Sequence, residues 1–286
     1  MDWRLTIEGA GGFRAGSRST PVPPCIDRER GANHKNKNMQ VDSVFLIVAL
    51  GAIVSGFVQG LSGFAFGMVA MSFWAWGVEP RLASAMSVFG ALTGQLLAAF
   101  TVRRKYHLAT VLPFLLGGIV GIPIGVSILP RLDVHLFKLC LGFVLVIWCP
   151  IMLFSSRIPP IRRGGRLADA VVGAIGGIMG GIGGFTGIAP TLWCTLRGFD
   201  KDKQRVVIQN FNLGALLVTM AVYVGTGIIT RDMLPMFAIV APAMLIPTLL
   251  GTRVYIGISD IAFRRIVLTL LTCSGVAMLV AAIPKL

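Results

Sequence analysis

The chain has 286 residues, 55% of them apolar and 13% charged, with a mean hydropathy of +0.80. That is too little polar surface for a water-soluble domain of this size, so lipid is the expected solvent. The net charge of +14 would suggest nucleic acid in a soluble protein. Here the cations fall between apolar segments, where they orient a chain in a bilayer, and no nucleic-acid partner is expected.

Residues 1–38 are polar and Arg-rich, carry Pro21, Pro23 and Pro24, and lack the apolar stretch of a signal peptide. They read as a disordered basic extension or an over-long start, with Met39, just before the first span, as the natural beginning. Eight apolar blocks follow, at 42–76, 82–101, 108–129, 134–154, 168–196, 206–229, 233–250 and 266–283. One crossing needs about 20 residues, so the first block, and less clearly the fifth, is too long for a single span.

Those two blocks carry the same signature. Gly60-Leu61-Ser62-Gly63-Phe64 and Gly181-Ile182-Gly183-Gly184-Phe185 lie 121 residues apart. The match continues with Gly77 and Gly198, then Ile122-Pro123 and Ile246-Pro247, and with Asp133 and Asp260, each opening the last span of its half. An old tandem duplication explains this, with a first membrane repeat at 39–154, a basic loop at 155–167 and a second repeat at 168–286.

Glycine rows such as Gly117/Gly121/Gly125 and Gly173/Gly177/Gly181 let helices approach closely. The clusters at 60–63 and 180–184 ask for more, since each glycine costs a helix about 1 kcal/mol. A break at membrane depth leaves backbone groups that hydrocarbon cannot satisfy. Matched breaks in two halves point to a transporter's binding site. A half-helix starting after the break would turn its free N–H groups and positive end toward an anion.

Lys and Arg between the blocks test the topology. If every block crosses once, the cations from Met39 on divide 9 against 9 between the two sides; if blocks one and five go in and return, they divide 14 against 4. The positive-inside rule selects the second arrangement. The expected fold is an all-α polytopic integral membrane protein of two inverted repeats, each a Gly-broken helical hairpin plus three transmembrane helices, with both termini outside.

The expected substrate site follows. Gly60, Gly63, Gly181, Gly183 and Gly184 would offer backbone donors, flanked by Phe64 and Phe185. Ser62 and Thr186 would cap the new helices or touch an oxyanion. Among the neutral amides Gln95, Gln209, Asn210 and Asn212, the pair Gln209 and Asn212 share a helical face. Glu79, Asp133, Asp169, Asp200, Asp202, Asp232 and Asp260 all fall at span ends and read as caps or rim residues. Lys138 snorkels, and Trp74, Trp76, Trp148 and Trp193 read as belt anchors. The five cysteines have no metal-ligand spacing, and no metal or cofactor is expected.

An enzyme reading competes. Gly60-Leu61-Ser62-Gly63 fits the Gly-x-Ser-Gly of rhomboid intramembrane proteases, which need a histidine at the serine. His107 and His135 fall at span ends, and the position equivalent to Ser62 is Gly183. No residue is assigned as catalytic. A passive anion channel is a third reading.

On the doubled Gly-rich segments, Pro190, the turn Glu79-Pro80-Arg81 and the run from Lys201 to Asn212, residues 42–283 resemble the TauE/SafE family of sulfite and organosulfonate permeases. The resemblance implies two four-segment halves and a multi-pass carrier of the cytoplasmic membrane for small sulfur oxyanions, often for export. A homodimer stays open as its assembly. The family usually has a further glycine where this chain has Phe64 and Phe185, and Ser62 replaces a glycine. Those departures would reshape the site and favour an organic anion.

Overall fold

The computed structural model describes the backbone of residues 24–101, 108–154, 161, 164–254 and 260–282, and side chains within 43–100, 109–154, 161, 164–200, 203–252 and 265–282. Residues 1–23, the side chain of Cys25, His107 and the loop cations at 103–105, 157, 162 and 163 lie outside the described residues. Contacts divide the chain into a unit at 1–42 and a compact unit at 43–286. The second is described below.

Ten α-helices are seen among the described residues: α1 Pro24–Ser62, α2 Phe66–Trp74, α3 Pro80–Thr101, α4 Leu108–Ile128, α5 Val134–Phe154, α6 Arg166–Gly183, α7 Ile188–Leu196, α8 Lys201–Gly225, α9 Leu234–Val254 and α10 Asp260–Ala282. Eight of them, α1 through its part from Ser43, are long and apolar enough to cross a membrane. The protein is a multi-pass membrane protein. The exceptions are α2 and α7, nine residues each. Each over-long block is thus a span-length helix, a break and a half-helix.

The breaks arise where the backbone enters the left-handed region, at Gly63 (φ 81°) and Gly184 (φ 77°). Only glycine takes that conformation without a Cβ penalty. Gly184 is the C-cap of α6, its N–H donating to Gly180 O at 2.8 Å. Gly63 N donates to Gln59 O at 2.7 Å in the same manner.

After each break the chain runs back beside the helix it has left. In the second half Thr186 meets Gly180, Pro190 meets Gly176, and the Trp193 indole donates to Asp169 Oδ1 at 2.7 Å. In the first half Phe66 N donates to Gln59 Oε1 (3.2 Å), the Trp74 indole donates to Val48 O (3.2 Å), and Gly77 lies against Ile47. An indole N–H closes each foldback.

This corrects the reading of three tryptophans as belt anchors. Trp74 is fully buried and Trp148 nearly so, its indole donating to Ile188 O at 2.9 Å. Trp193 is half-buried on Asp169, which also pairs with Arg197 at 3.2 Å. An indole holds its N–H partner best inside packed protein. Trp76 stays exposed, with Lys138 Nζ 5.2 Å above its ring. Asp133 and Asp200 are helix caps, accepting from Leu136 N (2.7 Å) and Lys203 N (2.8 Å).

Glycine rows set the packing of the spans. Gly117, Gly121 and Gly125 of α4 lie on the carbonyls of Ala170, Ala174 and Ile178 of α6. Gly173, Gly177 and Gly181 of α6 lie in turn on those of Phe114, Gly118 and Ile122. A Cβ at any of the six would overlap backbone, the close approach expected of small-residue seams. On the other side Gly56 and Gly60 of α1 meet Met244, Thr248 and Gly251 of α9, while Gly142 of α5 meets Gly275 of α10. Each broken helix therefore packs on a span from the other half. Both spans that receive them carry internal prolines, Pro113 and Pro123 in α4, Pro242 and Pro247 in α9.

Candidate functional site

A helix leaves its last carbonyls without intrahelical partners. At the end of α6 these carbonyls are closed by hydroxyls from other helices. Tyr223 OH donates to Gly181 O, Ser84 Oγ to Ile182 O and Ser87 Oγ to Gly183 O, each at 2.7 Å. Beyond the break, Thr186 Oγ1 donates to Asn212 Oδ1 at 2.9 Å, and both residues are buried.

The first break is closed differently. Ser62 Oγ donates to Val58 O (2.8 Å) and accepts weakly from Phe64 N (3.4 Å) and Ala65 N (3.3 Å), so it caps the turn. Gln95 Nε2 donates to Gly63 O. Gln59 donates to Ala91 O at 3.1 Å and accepts from Phe66 N, a side-chain cap for α2 reached from seven residues away.

The two breaks touch. The position a Cβ would take at Gly67, in the first turn of α2, is 3.1 Å from Gly184 O and 3.4 Å from Gly183 O. The same position at Gly187, which ends the second break, is 3.2 Å from the Phe64 ring and 3.0 Å from the Asn212 amide nitrogen. Helix α8 joins them: Gln209 Nε2 is 3.8 Å from the Cβ position of Gly63, and Asn212 sits at Thr186 and Gly187. Three residues apart on one face, these amides stand one at each break.

Sequence expectation and structure part at the glycines. Gly60 and Gly181 lie inside α1 and α6, packed on α9 and α4, and Gly183 is the last residue of α6. The amides of Gly63 and Gly184 are used within the turns. A left-handed cap consumes the N–H groups that glycine-counting treats as free. Of the polar side chains expected at the site, Ser62, Thr186, Gln209 and Asn212 gather at the breaks, beside Gln59, Gln95, Ser84, Ser87 and Tyr223 that close them. Phe64 is half-buried, whereas Phe185 is buried and lines an apolar cavity of about 60 Å³ with Phe137, Met179 and Ile182. Asn210 bonds back to Val206 O at 2.9 Å.

Sequence reading missed Ser84, Ser87, Gln59 and Tyr223. The signal was present for two of them: Ser84 and Ser87 follow helical spacing along one face of α3 with Gln95, already singled out. The Ser62 proton points to Val58 O, and no histidine bonds this hydroxyl among the described residues. No cluster of three metal-ligating side chains is found among them either.

The family model described as sulfite exporter TauE/SafE matches residues 47–278. No curated protein and no solved structure matches the chain.

Proposed function

The chain belongs to the TauE/SafE sulfite exporter family, a transporter family, and on that premise we propose that it carries a small sulfur-containing or organic anion, such as sulfite or an organosulfonate, bound where the two breaks meet. The observation that carries this reading is the contact of breaks 121 residues apart in the chain, with Gln209 and Asn212 set across them. The hydroxyls of Ser62 and Thr186 and the two amides are the proposed ligand contacts. The positive ends of α2 and α7 supply favourable potential without a buried cation. Neutral donors suit a substrate that must leave as readily as it binds.

Alternating access is the proposed mechanism, with the two halves inverted relative to each other. The 14-to-4 division of loop cations supports that arrangement. So does the exchange of partners, α1 with α9 and α6 with α4.

The test is counterflow of labelled sulfite, sulfoacetate, taurine and a carboxylate analogue in proteoliposomes holding the full chain. At least one sulfur oxyanion is expected to exchange, and Asn212→Leu is expected to slow that exchange about tenfold or more through the loss of a buried hydrogen-bonding group. Exchange at the wild-type rate in Asn212→Leu and Gln209→Leu alike would move the site away from the breaks.

A further inference from the structure

Thr191, one turn into α7, is 2% exposed, and its hydroxyl is the one buried side-chain polar atom among the described residues without a hydrogen-bond partner. Buried hydroxyls are nearly always bonded. Inside a helix the usual partner is the carbonyl four residues back. Thr93, Thr195, Thr219, Thr248 and Thr272 each take it, at 2.7 to 2.8 Å. Thr191 has the same option at Gly187 O, which its own amide uses at 3.0 Å, and the hydroxyl does not take it.

Its neighbours on α7 lie along α8. One turn earlier, Gly187 sits on the Asn212 carboxamide at the break. One turn later, Thr195 Oγ1 accepts from Gln204 Nε2 at 2.8 Å, and the same amide reaches toward Thr191 O at 3.5 Å. Gly187, Thr191 and Thr195 thus share a face of α7 that meets α8 between Asn212 and Gln204. Beyond Gln204 the seam ends among cations, Arg197 and Lys203 both lying on the Phe199 ring.

We propose that Thr191 is a second contact for the transported oxyanion, its hydroxyl donating to a substrate oxygen between the break and the Gln204 end of the α7–α8 seam. The inference rests on the carrier reading above and adds a waypoint to it. A station met after the central site acts on turnover more than on binding.

Thr191→Val, Thr191→Ser and Asn212→Leu are compared with wild type in two assays, counterflow of labelled sulfite and the rise in apparent Tm that sulfite produces in detergent. Thr191→Val is expected to lose about tenfold in exchange rate while keeping the sulfite-induced rise, a loss of rate without loss of binding. Thr191→Ser is expected to stay near wild type. Wild-type exchange in Thr191→Val beside a slow Asn212→Leu would overturn the waypoint and leave the central site standing. Equal losses in the valine and serine variants would overturn it too, since packing rather than the hydroxyl would then matter. Wild-type exchange in both Thr191→Val and Asn212→Leu would sink the central reading and the waypoint together. Should Thr191→Val fail to fold, Thr191→Ala takes its place.

Discussion

The break after α1 and the break after α6 share a backbone and differ in almost everything around it. Their glycines hold nearly the same φ, 81° at Gly63 and 77° at Gly184. Yet Ser62 is exposed and Gly63 and Phe64 half-buried, whereas every residue from Gly183 to Gly187 is buried. Two serines of α3 lock the second break through its carbonyls; 121 residues on from Ser84 and Ser87 stand Arg205 and Ile208 of α8, with no short hydroxyl to return the favour. Ser62 itself is matched by Gly183. The two halves share the kink and differ in its polar surroundings, so one break is fastened and the other more exposed.

The sharpest probe of that difference is a Cβ placed at each left-handed glycine. Gly184→Val adds overlap to strain, its Cβ position lying 3.0 Å from Ser87 Oγ and 3.3 Å from Val88 N. A loss above about 3 kcal/mol is expected from the combination. At Gly63 the Cβ position itself meets no atom nearer than 3.8 Å, so backbone strain is the main cost expected of Gly63→Val, about 1–3 kcal/mol. Apparent Tm values in detergent would read the pair, and equal losses would break the contrast.

A smaller effect is expected from the bonds that close the carbonyls. Ser87→Ala strands a buried Gly183 O, worth about 1–3 kcal/mol. Gln95→Met does the same to Gly63 O at a half-buried residue, and under about 1 kcal/mol is expected where another donor can reach it. Thermal unfolding of the two variants side by side decides this, and a Gln95→Met loss as large as that of Ser87→Ala would show the first break to be equally sealed.

The smallest change in stability belongs to Ser62→Ala, which removes a cap of two long bonds and costs about 1 kcal/mol or less. Its sulfite exchange is nonetheless expected to fall several-fold if the accessible break carries the ligand. A variant with unchanged exchange would assign Ser62 to capping alone.

Much of this was legible in the chain. Apolar run length gave the eight spans, and glycine clusters in over-long blocks gave both breaks, because hydropathy and helix cost are local properties. Gln209 and Asn212 were found by helical spacing. What local patterns could not show was the return of α2 and α7 along their parent helices. That return buries Trp74 and turns the Trp193 indole onto Asp169, positions that by composition look like an interface belt. Nor does a glycine count reveal that a left-handed cap spends its own amide, as Gly63 and Gly184 do. The α3 serines escaped notice because their partners, Ile182 and Gly183, lie nearly a hundred residues away.

The bare-backbone seams that join α4 to α6 and α1 to α9 have a mechanical meaning. Each helix that ends in a break is clasped by a span from the other half of the chain, and both of those spans lack backbone hydrogen bonds at their internal prolines. Under the proposed alternating access, movement at either break would have to displace the span from the other half on which its helix packs, so the two halves are expected to act as crossed blades on one pivot.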